Sequence, residues 1–349
     1  MPGARLTCLN VGHLISSMRT RCLAAAATAV VAGAVFSIGA AASGAPAAAA
    51  VRGPGLSRHA QVFRPVGWRK THPPVVRRAA FDPGDVNLQY NGGGVLTSPG
   101  AFAIFWGPDW ANGFSAGGFT SDQARDYMTT FLGGVGGSPW IGSQTQYCQG
   151  TALYGESCAG DLNARFIANP AQQLLGAWVD DSPIPDSPTD ADVQAEAQRA
   201  AASLGYGPGA VYLVFTPSGH STGGFGTQFC AYHDNTTFDG QPLPYVNVPY
   251  VPDAGAACGM NFVNATDDVG HGFFDGYSIV AGHEYAEAVT DPFPSLAAAW
   301  VDTSGNEAAD KCIWNWGPGD VTQDVPLGDR FFAVQPLWSN AAGGCVIAG

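Results

Sequence analysis

The chain has 349 residues, with 15 Lys or Arg and 28 Asp or Glu, which give a formal charge of −13. All 28 acidic residues follow Arg78, so residues 79–349, with five basic residues, carry a formal charge of −23. A domain with this negative charge repels polyanions, so we expect neither nucleic acid nor an anionic membrane as a partner.

Residues 1–50 are predicted to be a secretory signal peptide. Three arginines precede an apolar run at residues 23–42, and the Ala-rich stretch that follows offers small-x-small cleavage sites. Met18 is an alternative start that would give the signal ordinary proportions. A membrane anchor is the alternative interpretation, but the run is rich in Ala and Gly and is marginal for spanning. We therefore expect cleavage, an extracellular location and no membrane partner afterwards.

Residues 51–78 have a different composition from the rest of the chain. They contain seven Arg or Lys, four Pro and no acidic residue, and they end at the dibasic pair Arg77-Arg78. A basic propeptide attracted to the acidic domain and released at this pair is one interpretation. A disordered linker is the other, and composition does not separate them. Residues 79–349 are then expected to form a single secreted domain.

Six cysteines follow the predicted signal peptide, which is typical of a framework of three disulfides in an exported protein. Six cysteines allow fifteen pairings. Pairing of nearest neighbours along the chain predicts Cys148–Cys158, Cys230–Cys258 and Cys312–Cys345.

Hydrophobic patterning predicts strands and helices in alternation. In chain order these are a strand at 101–106, a helix at 120–132 capped by Ser121, a strand around 162–167, a helix at 191–204, a strand at 210–215 and a helix at about 278–291 capped by Ser278 and ended by Pro292. Residues 180–192 are acidic and Pro-rich, so they are expected to form a loop. The fold class is α+β: a zincin-like mixed sheet backed by helices, with a metal-site helix laid across it and disulfides as staples.

The last of these helices contains the sequence His-Glu-x-x-Glu, a one-residue variant of the zinc-binding motif His-Glu-x-x-His. Residues four apart share a helix face, so His283, Glu287 and Asp291 form one row of potential ligands. Glu284 lies about 100° around the helix from His283. A polar row on an otherwise apolar helix indicates a metal site, and the alternative is a core histidine hydrogen-bonded to Glu287, with Glu284 on a solvated face.

A catalytic zinc takes three protein ligands and leaves a fourth position to water. Glu307 lies 24 residues after His283, and Asp310 follows one helical turn later, so both are candidate ligands. Oxygen-rich ligands are also compatible with calcium or manganese. His233, near Cys230, is a candidate donor to a developing oxyanion, and the alternative is a loop histidine beside a disulfide.

The run from His283 to Asp291, with Asn306-Glu307 after it, resembles the active-site segment of the thermolysin-like zinc peptidases. The resemblance implies that His283, position 287 and Glu307 bind zinc and that Glu284 is the general base. The chain departs from that family at position 287, where it has Glu in place of His.

A broader resemblance, over roughly residues 90–349, is to the EXORDIUM/phosphate-induced-protein-1 family of secreted plant proteins and their bacterial relatives. It rests on motifs in a common order: Ser138-Pro-Trp-Ile, Phe229-Cys-Ala-Tyr-His233, the block from Asp275 to Pro292, Ala299-Trp300, Glu307-Ala-Ala-Asp310-Lys-Cys312 and Cys345. It implies an extracellular protein linked to growth or the cell wall.

Two functions are therefore expected from the sequence. The first is a secreted zinc-dependent, metallopeptidase-like hydrolase, a monomer that acts on extracellular peptides or proteins, with catalytic residues Glu284 and His233 and metal ligands His283, Glu287, Glu307 and Asp310. The second is a non-catalytic extracellular protein that binds a cell-wall component and keeps a structural metal site.

Overall fold

The computed structural model describes residues 61–66, 87–150, 155–264, 271–315 and 321–349. All described residues belong to one compact unit of the chain, residues 51–349. The predicted signal peptide and the pair Arg77-Arg78 lie outside the described residues. Within the described part, no helix is both long enough and apolar enough to cross a membrane.

The described residues form five α-helices, three 3-10 segments and sixteen strands. The helices are α1 (Pro108–Asn112), α2 (Ser121–Val135), α3 (Pro139–Gly142), α4 (Asp190–Leu204) and α5 (His271–Thr290), and the 3-10 segments are Ser143–Gln146, Val251–Cys258 and Asp310–Asn315. The strands are β1 (Gln61–Phe63), β2 (Gln89–Tyr90), β3 (Gly100–Trp106), β4 (Ser115–Ala116), β5 (Phe119–Thr120), β6 (Cys148–Gln149), β7 (Arg165–Phe166), β8 (Leu174–Asp180), β9 (Ala210–Phe215), β10 (Ala231–Phe238), β11 (Gln241–Val248), β12 (Trp300–Val301), β13 (Gln323–Leu327), β14 (Arg330–Val334), β15 (Leu337–Ser339) and β16 (Gly344–Val346).

A six-stranded mixed sheet in the order β1-β10-β11-β9-β3-β8 is the centre of the fold. Strands β11, β9, β3 and β8 run parallel to one another, and β10 runs antiparallel to β11. Strand β1, which comes from the basic N-terminal segment, pairs antiparallel with β10 and forms the edge of the sheet.

Helices cover both faces of the sheet. Every residue of β9 is buried, and its side chains alternate between the two faces. Val211, Leu213 and Phe215 join the core that contains residues of α2 and α5, whereas Tyr212 and Val214 join the core that contains residues of α4. A sheet covered on both sides explains why this strand is continuously hydrophobic.

Helix α5 lies in the interior. Apart from Phe273, which is partly buried, its side chains from Gly272 to Thr290 are buried, so it carries apolar residues on all sides. The helix packs against β10, β11, β14 and the 3-10 segment Val251–Cys258. A Cβ atom added at Gly276 would lie 2.2 Å from the carbonyl oxygen of Cys258, so glycine permits this close approach. Any charged group on α5 is therefore carried into the core.

The three predicted disulfides are confirmed as Cys148–Cys158, Cys230–Cys258 and Cys312–Cys345. The last pair joins the 3-10 segment Asp310–Asn315 to β16, and the second joins the residue before β10 to the 3-10 segment Val251–Cys258, which packs on α5. Three disulfides are typical of proteins that fold in an oxidising compartment, and they are compatible with an extracellular location.

Several predicted element boundaries are wrong. Helix α5 begins at His271, so Ser278 is not its cap, and the Ser278 hydroxyl instead donates to the carbonyl of Ala333. The cap of α2 is Thr120, in a capping box with Gln123, rather than Ser121. The strand predicted around 162–167 is only the two-residue β7, and the longer β8 follows it.

Candidate metal centre

The structure brings all six predicted site residues into one buried cluster beneath the edge of the sheet. His233 comes from β10, three residues come from α5, and two come from the segment after β12. Five of the side chains have no exposed surface, and Asp310 is 19% exposed. The predicted residues are His233, His283, Glu284, Glu287, Glu307 and Asp310.

His283 and Glu287 lie one turn apart on α5, as the helical spacing predicts. Nε2 of His283 is 3.0 Å from Oε2 of Glu287 and 3.7 Å from Oδ1 of Asp310. The other ring nitrogen, Nδ1, lies 3.1 Å from Oε1 of Gln335. The other carboxylate oxygen of Glu287, Oε1, accepts from the backbone N–H of Asp310 at 2.8 Å. One edge of the His283 ring and one oxygen of Glu287 thus remain directed into the cluster.

His233 is a strand residue rather than the loop histidine that was the alternative prediction. Its Nδ1 lies 2.9 Å from Oε2 of Glu284 and 3.9 Å from Oε2 of Glu287. Its Nε2 lies 3.5 Å from Oε2 of Glu307 and 3.2 Å from the carbonyl oxygen of Asp291. His233 therefore connects the carboxylates of α5 with the carboxylate that follows β12.

A tight turn sets the position of Glu307. Oδ1 of Asp302 accepts from the backbone N–H groups of Ser304 and Asn306, and Gly305 between them has a φ of 80°. Lys311 donates to the other oxygen of Asp302 at 3.1 Å, which ties the turn to the start of the following 3-10 segment. The residue after Asn306 is consequently directed toward His233.

Glu284 accepts hydrogen bonds at both carboxylate oxygens. Oε2 accepts from Nδ1 of His233 at 2.9 Å, and Oε1 accepts from the backbone N–H of Phe63 at 3.0 Å. The Phe63 ring also packs edge-on against His283, with 4.3 Å between the ring centroids. A residue of the basic N-terminal segment thus covers the predicted general base.

Among the described residues, five buried atoms of the cluster make no hydrogen bond of good geometry, although two of them, Nε2 of His283 and Oε2 of Glu287, lie 3.0 Å apart. They are His283 Nε2, Glu287 Oε2, Asp291 Oδ2 and both carboxylate oxygens of Glu307. Buried polar atoms without partners cost free energy, so these atoms need another group to satisfy them. A cation satisfies carboxylate oxygens and an imidazole nitrogen together.

The pKa values show what the cluster needs without a cation. Burial raises the pKa of Glu307 well above its ordinary value, and the nearby carboxylates of Glu287 and Asp291 raise it further. Burial also raises the pKa of Asp310, to about 7. Burial acts to lower the pKa of His283, but the contact with Glu287 and the charges of Glu287, Glu284 and Asp310 together outweigh it and raise that pKa to about 9. The cluster must therefore take up protons, or a cation in their place.

The donor spacing fits a small divalent ion. Two overlapping groups have their donor atoms within 4.8 Å of one another: His233, Glu287 and Glu307, and His283, Glu284 and Glu287. A tetrahedral ion with bonds of about 2.1 Å holds its donors about 3.4 Å apart, and one pair in each group is close to this: His233 and Glu307 at 3.5 Å in the first, His283 and Glu287 at 3.0 Å in the second. Among the described residues, neither group contains both His283 and Glu307, which were predicted to share one ion. These buried His and Glu groups are able to hold a metal ion, and Glu287 belongs to both groups.

The sequence interpretation missed two contacts of the site. Gln335 orients His283, and no motif marks a glutamine 52 residues downstream. Phe63 reaches Glu284 across 221 residues, from a segment assigned by composition alone. Asp291 was placed in the ligand row by its spacing, and its Oδ1 accepts from the backbone N–H of Ala299 while Oδ2 is unpartnered among the described residues.

Comparisons with known proteins gave no match: no model of a known protein family, no curated protein and no solved structure matches this chain.

Proposed function

We propose that this protein is a secreted, metal-dependent hydrolase of the zincin-like class that cleaves peptide bonds in extracellular peptides or proteins. The observation that carries the proposal is a buried group of imidazole and carboxylate donors, several of them unpartnered among the described residues, beside the carboxylate of Glu284, which lies on the same helix as His283 and Glu287. Zinc is the proposed ion, and the oxygen-rich donor set is also compatible with manganese or calcium.

The residues proposed to hold the metal are His283, Glu287 and Glu307, with His233 and Asp310 beside them. Both histidines have Nδ1 next to an oxygen acceptor, Gln335 for His283 and Glu284 for His233. Such acceptors fix the ring orientation and direct Nε2 into the site. This arrangement supports His283 as a ligand because its Nε2 faces the carboxylate of Glu287 at 3.0 Å, whereas Nε2 of His233 also lies 3.2 Å from the carbonyl oxygen of Asp291.

Glu284 is the proposed general base. A bound divalent ion would polarise the scissile carbonyl and make the attacking water more acidic. Glu284 would take the proton from that water and pass it to the leaving amine as the carbon–nitrogen bond breaks. Burial raises the pKa of the Glu284 carboxyl, which supports proton uptake, and the neighbouring histidines oppose that shift.

A second candidate function is a non-catalytic extracellular binding protein with a structural metal site. It is favoured by one observation: protein N–H groups occupy both oxygens of Glu284, so that the carboxylate serves to orient His233. In this reading Glu284 supports a metal ligand and does not act on substrate.

Hydrolysis of casein and of a quenched peptide library tests the proposal. The assay compares the intact chain, the chain cleaved after Arg78, Glu284→Gln and the control Glu156→Gln, with metal content measured on each. We expect turnover that Glu284→Gln lowers by about 100-fold or more without loss of metal. A metal-bearing protein that hydrolyses neither substrate, whether intact or cleaved, would contradict the proposed peptidase activity. Loss of metal in Glu284→Gln would favour the orienting role.

A further inference from the structure

We propose that the edge of β10 beside α5 is a binding groove for an extended peptide with an aromatic residue, and that residues 61–66 are its built-in occupant. The occupant keeps Glu284 covered, so the intact chain is latent. The latency rests on the proposed function, because it requires Glu284 to be the base. Peptide binding in the groove does not depend on turnover.

The occupant binds as an added strand. Gln61, Val62 and Phe63 pair antiparallel with His233, Tyr232 and Ala231. The carbonyl oxygen of Phe63 also accepts from the backbone N–H of Cys230 at 2.7 Å. Main-chain pairing at a sheet edge supplies affinity without regard to sequence, and pockets for alternate side chains supply specificity.

The specificity pocket is the one that holds Phe63. Its ring has no exposed surface and lies between His283 and Trp314, with ring centroids 4.3 Å and 4.9 Å away. Both contacts are edge-to-face, the geometry that aromatic pairs prefer. One wall of the pocket is thus a proposed metal ligand, which places the peptide directly at the site.

The chain beyond Phe63 is bound on both sides. Trp314 donates from its indole N–H to the carbonyl of Arg64 at 2.7 Å, and the Arg64 guanidinium donates to the carbonyl of Gln228 at 2.8 Å. The N–H of Val66 donates to the carbonyl of Ala257 at 2.8 Å. Trp314 has a φ of 52°, a left-handed conformation that is costly for a bulky residue. The groove therefore recognises an aromatic–basic sequence with backbone contacts around it.

Charge and length indicate a displaceable occupant. The segment 51–78 carries seven basic and no acidic residues, whereas residues 79–349 carry −23. This charge difference favours association within the chain and weakens with salt. The strand itself is three residues long, so the sheet keeps five strands without it. Its removal would uncover the β10 edge, the face of His283 and the carboxylate of Glu284.

A cleavable form of the full chain tests this proposal. A single-site protease recognition sequence replaces residues 70–76, and the folded chain is cut and dialysed at high salt. Fluorescence polarisation then measures binding of a labelled peptide with the sequence of residues 60–68, and of its Phe63→Ala version. Uncut Phe63→Asp provides a second route to an open groove, and Phe331→Asp is its matched control because Phe331 is exposed.

We expect the cut chain and Phe63→Asp to bind the peptide, and the uncut chain and Phe331→Asp not to bind it. The Phe63→Ala peptide should bind about tenfold or more weakly, as for loss of a buried aromatic anchor. The proposal is overturned if the cut chain fails to bind added peptide, if both peptides bind equally, or if the uncut chain binds as well as the cut one. Peptide binding without any hydrolysis would contradict the proposed peptidase activity and would support the proposed binding groove.

Discussion

Nδ1 of His283 lies 3.1 Å from Oε1 of Gln335, and the amide nitrogen of Gln335 donates to the carbonyl of Ala309 at 2.8 Å. The amide cannot turn over without losing that second bond, so its oxygen faces the histidine. His283 must then carry a proton on Nδ1 and present Nε2 to Glu287. Gln335 is therefore a positioning residue for the candidate metal centre.

Replacement of Gln335 tests this role. Gln335→Leu should weaken metal binding by about 10- to 100-fold, because His283 loses the acceptor that fixes its ring. Competition with a fluorescent chelator measures the dissociation constant. The matched control is Gln173→Leu, which removes a buried amide that accepts from the hydroxyl of Tyr285 on the same helix. Equal metal affinities for the two variants would contradict the assignment.

Gly276 should be intolerant of a side chain. A Cβ added at Gly276 would lie 2.2 Å from the backbone oxygen of Cys258, and a backbone atom cannot move aside as the end of a flexible side chain can. Gly276→Ala should lower the free energy of unfolding by roughly 1–3 kcal/mol. This is the opposite of the usual effect in a helix, where alanine is more favourable than glycine. Urea denaturation measures the change. Gly223→Ala, where an added Cβ meets nothing within 4 Å, should be nearly neutral, and similar losses in both would disprove the close approach.

Stability should fall with rising pH because of Glu196, which is buried on α4 beside Arg199. Burial raises the pKa of Glu196 to about 8 from 4.5, against the opposing charge of Arg199. Between these values the native state keeps a proton that the unfolded chain has released. The stabilisation of the native state by this proton on Glu196 is therefore complete below pH 4.5 and is lost as the pH rises through 8.

Glu196→Gln should remove this dependence. The free energy of unfolding of the wild type, from urea denaturation at pH 5.5 to 8, should fall more steeply than that of the variant, by up to about 1.4 kcal/mol per pH unit. Glu156→Gln, at a partly exposed position, should keep the wild-type slope. Parallel curves for wild type and Glu196→Gln would refute the role of this carboxyl.

Local signals were sufficient for much of the fold. Strand β9 has the predicted bounds, and α4 differs by one residue at its start. The disulfides follow nearest neighbours because each pair closes a short loop. The hairpin of β10 and β11 was missed, although Asp239-Gly240, both with positive φ, is a strong hairpin signal. Ser278 was wrongly predicted as the cap because α5 continues toward the N-terminus to His271. The residues between His271 and Ser278 carry no cap signal that would have marked this earlier start.

The site was predictable where spacing along one helix determines it. His283 and Glu287 meet because they are four residues apart on α5. The contact between Phe63 and Glu284 was not predictable, because it depends on strand pairing between segments more than 160 residues apart in sequence. The role of His233 also depends on the unpredicted strand β10. Long-range pairing, rather than local propensity, therefore determines the chemistry around Glu284.

Metal analysis of the purified chain is the most direct test of the central claim, that the buried cluster binds a metal ion. Inductively coupled plasma mass spectrometry, after incubation with zinc, manganese and calcium and then desalting, should find about one divalent ion per chain. Glu287→Gln and Glu307→Gln should lose most of it, because each removes a proposed ligand, while Glu156→Gln should retain it. A folded wild-type chain that retains no ion would contradict the account.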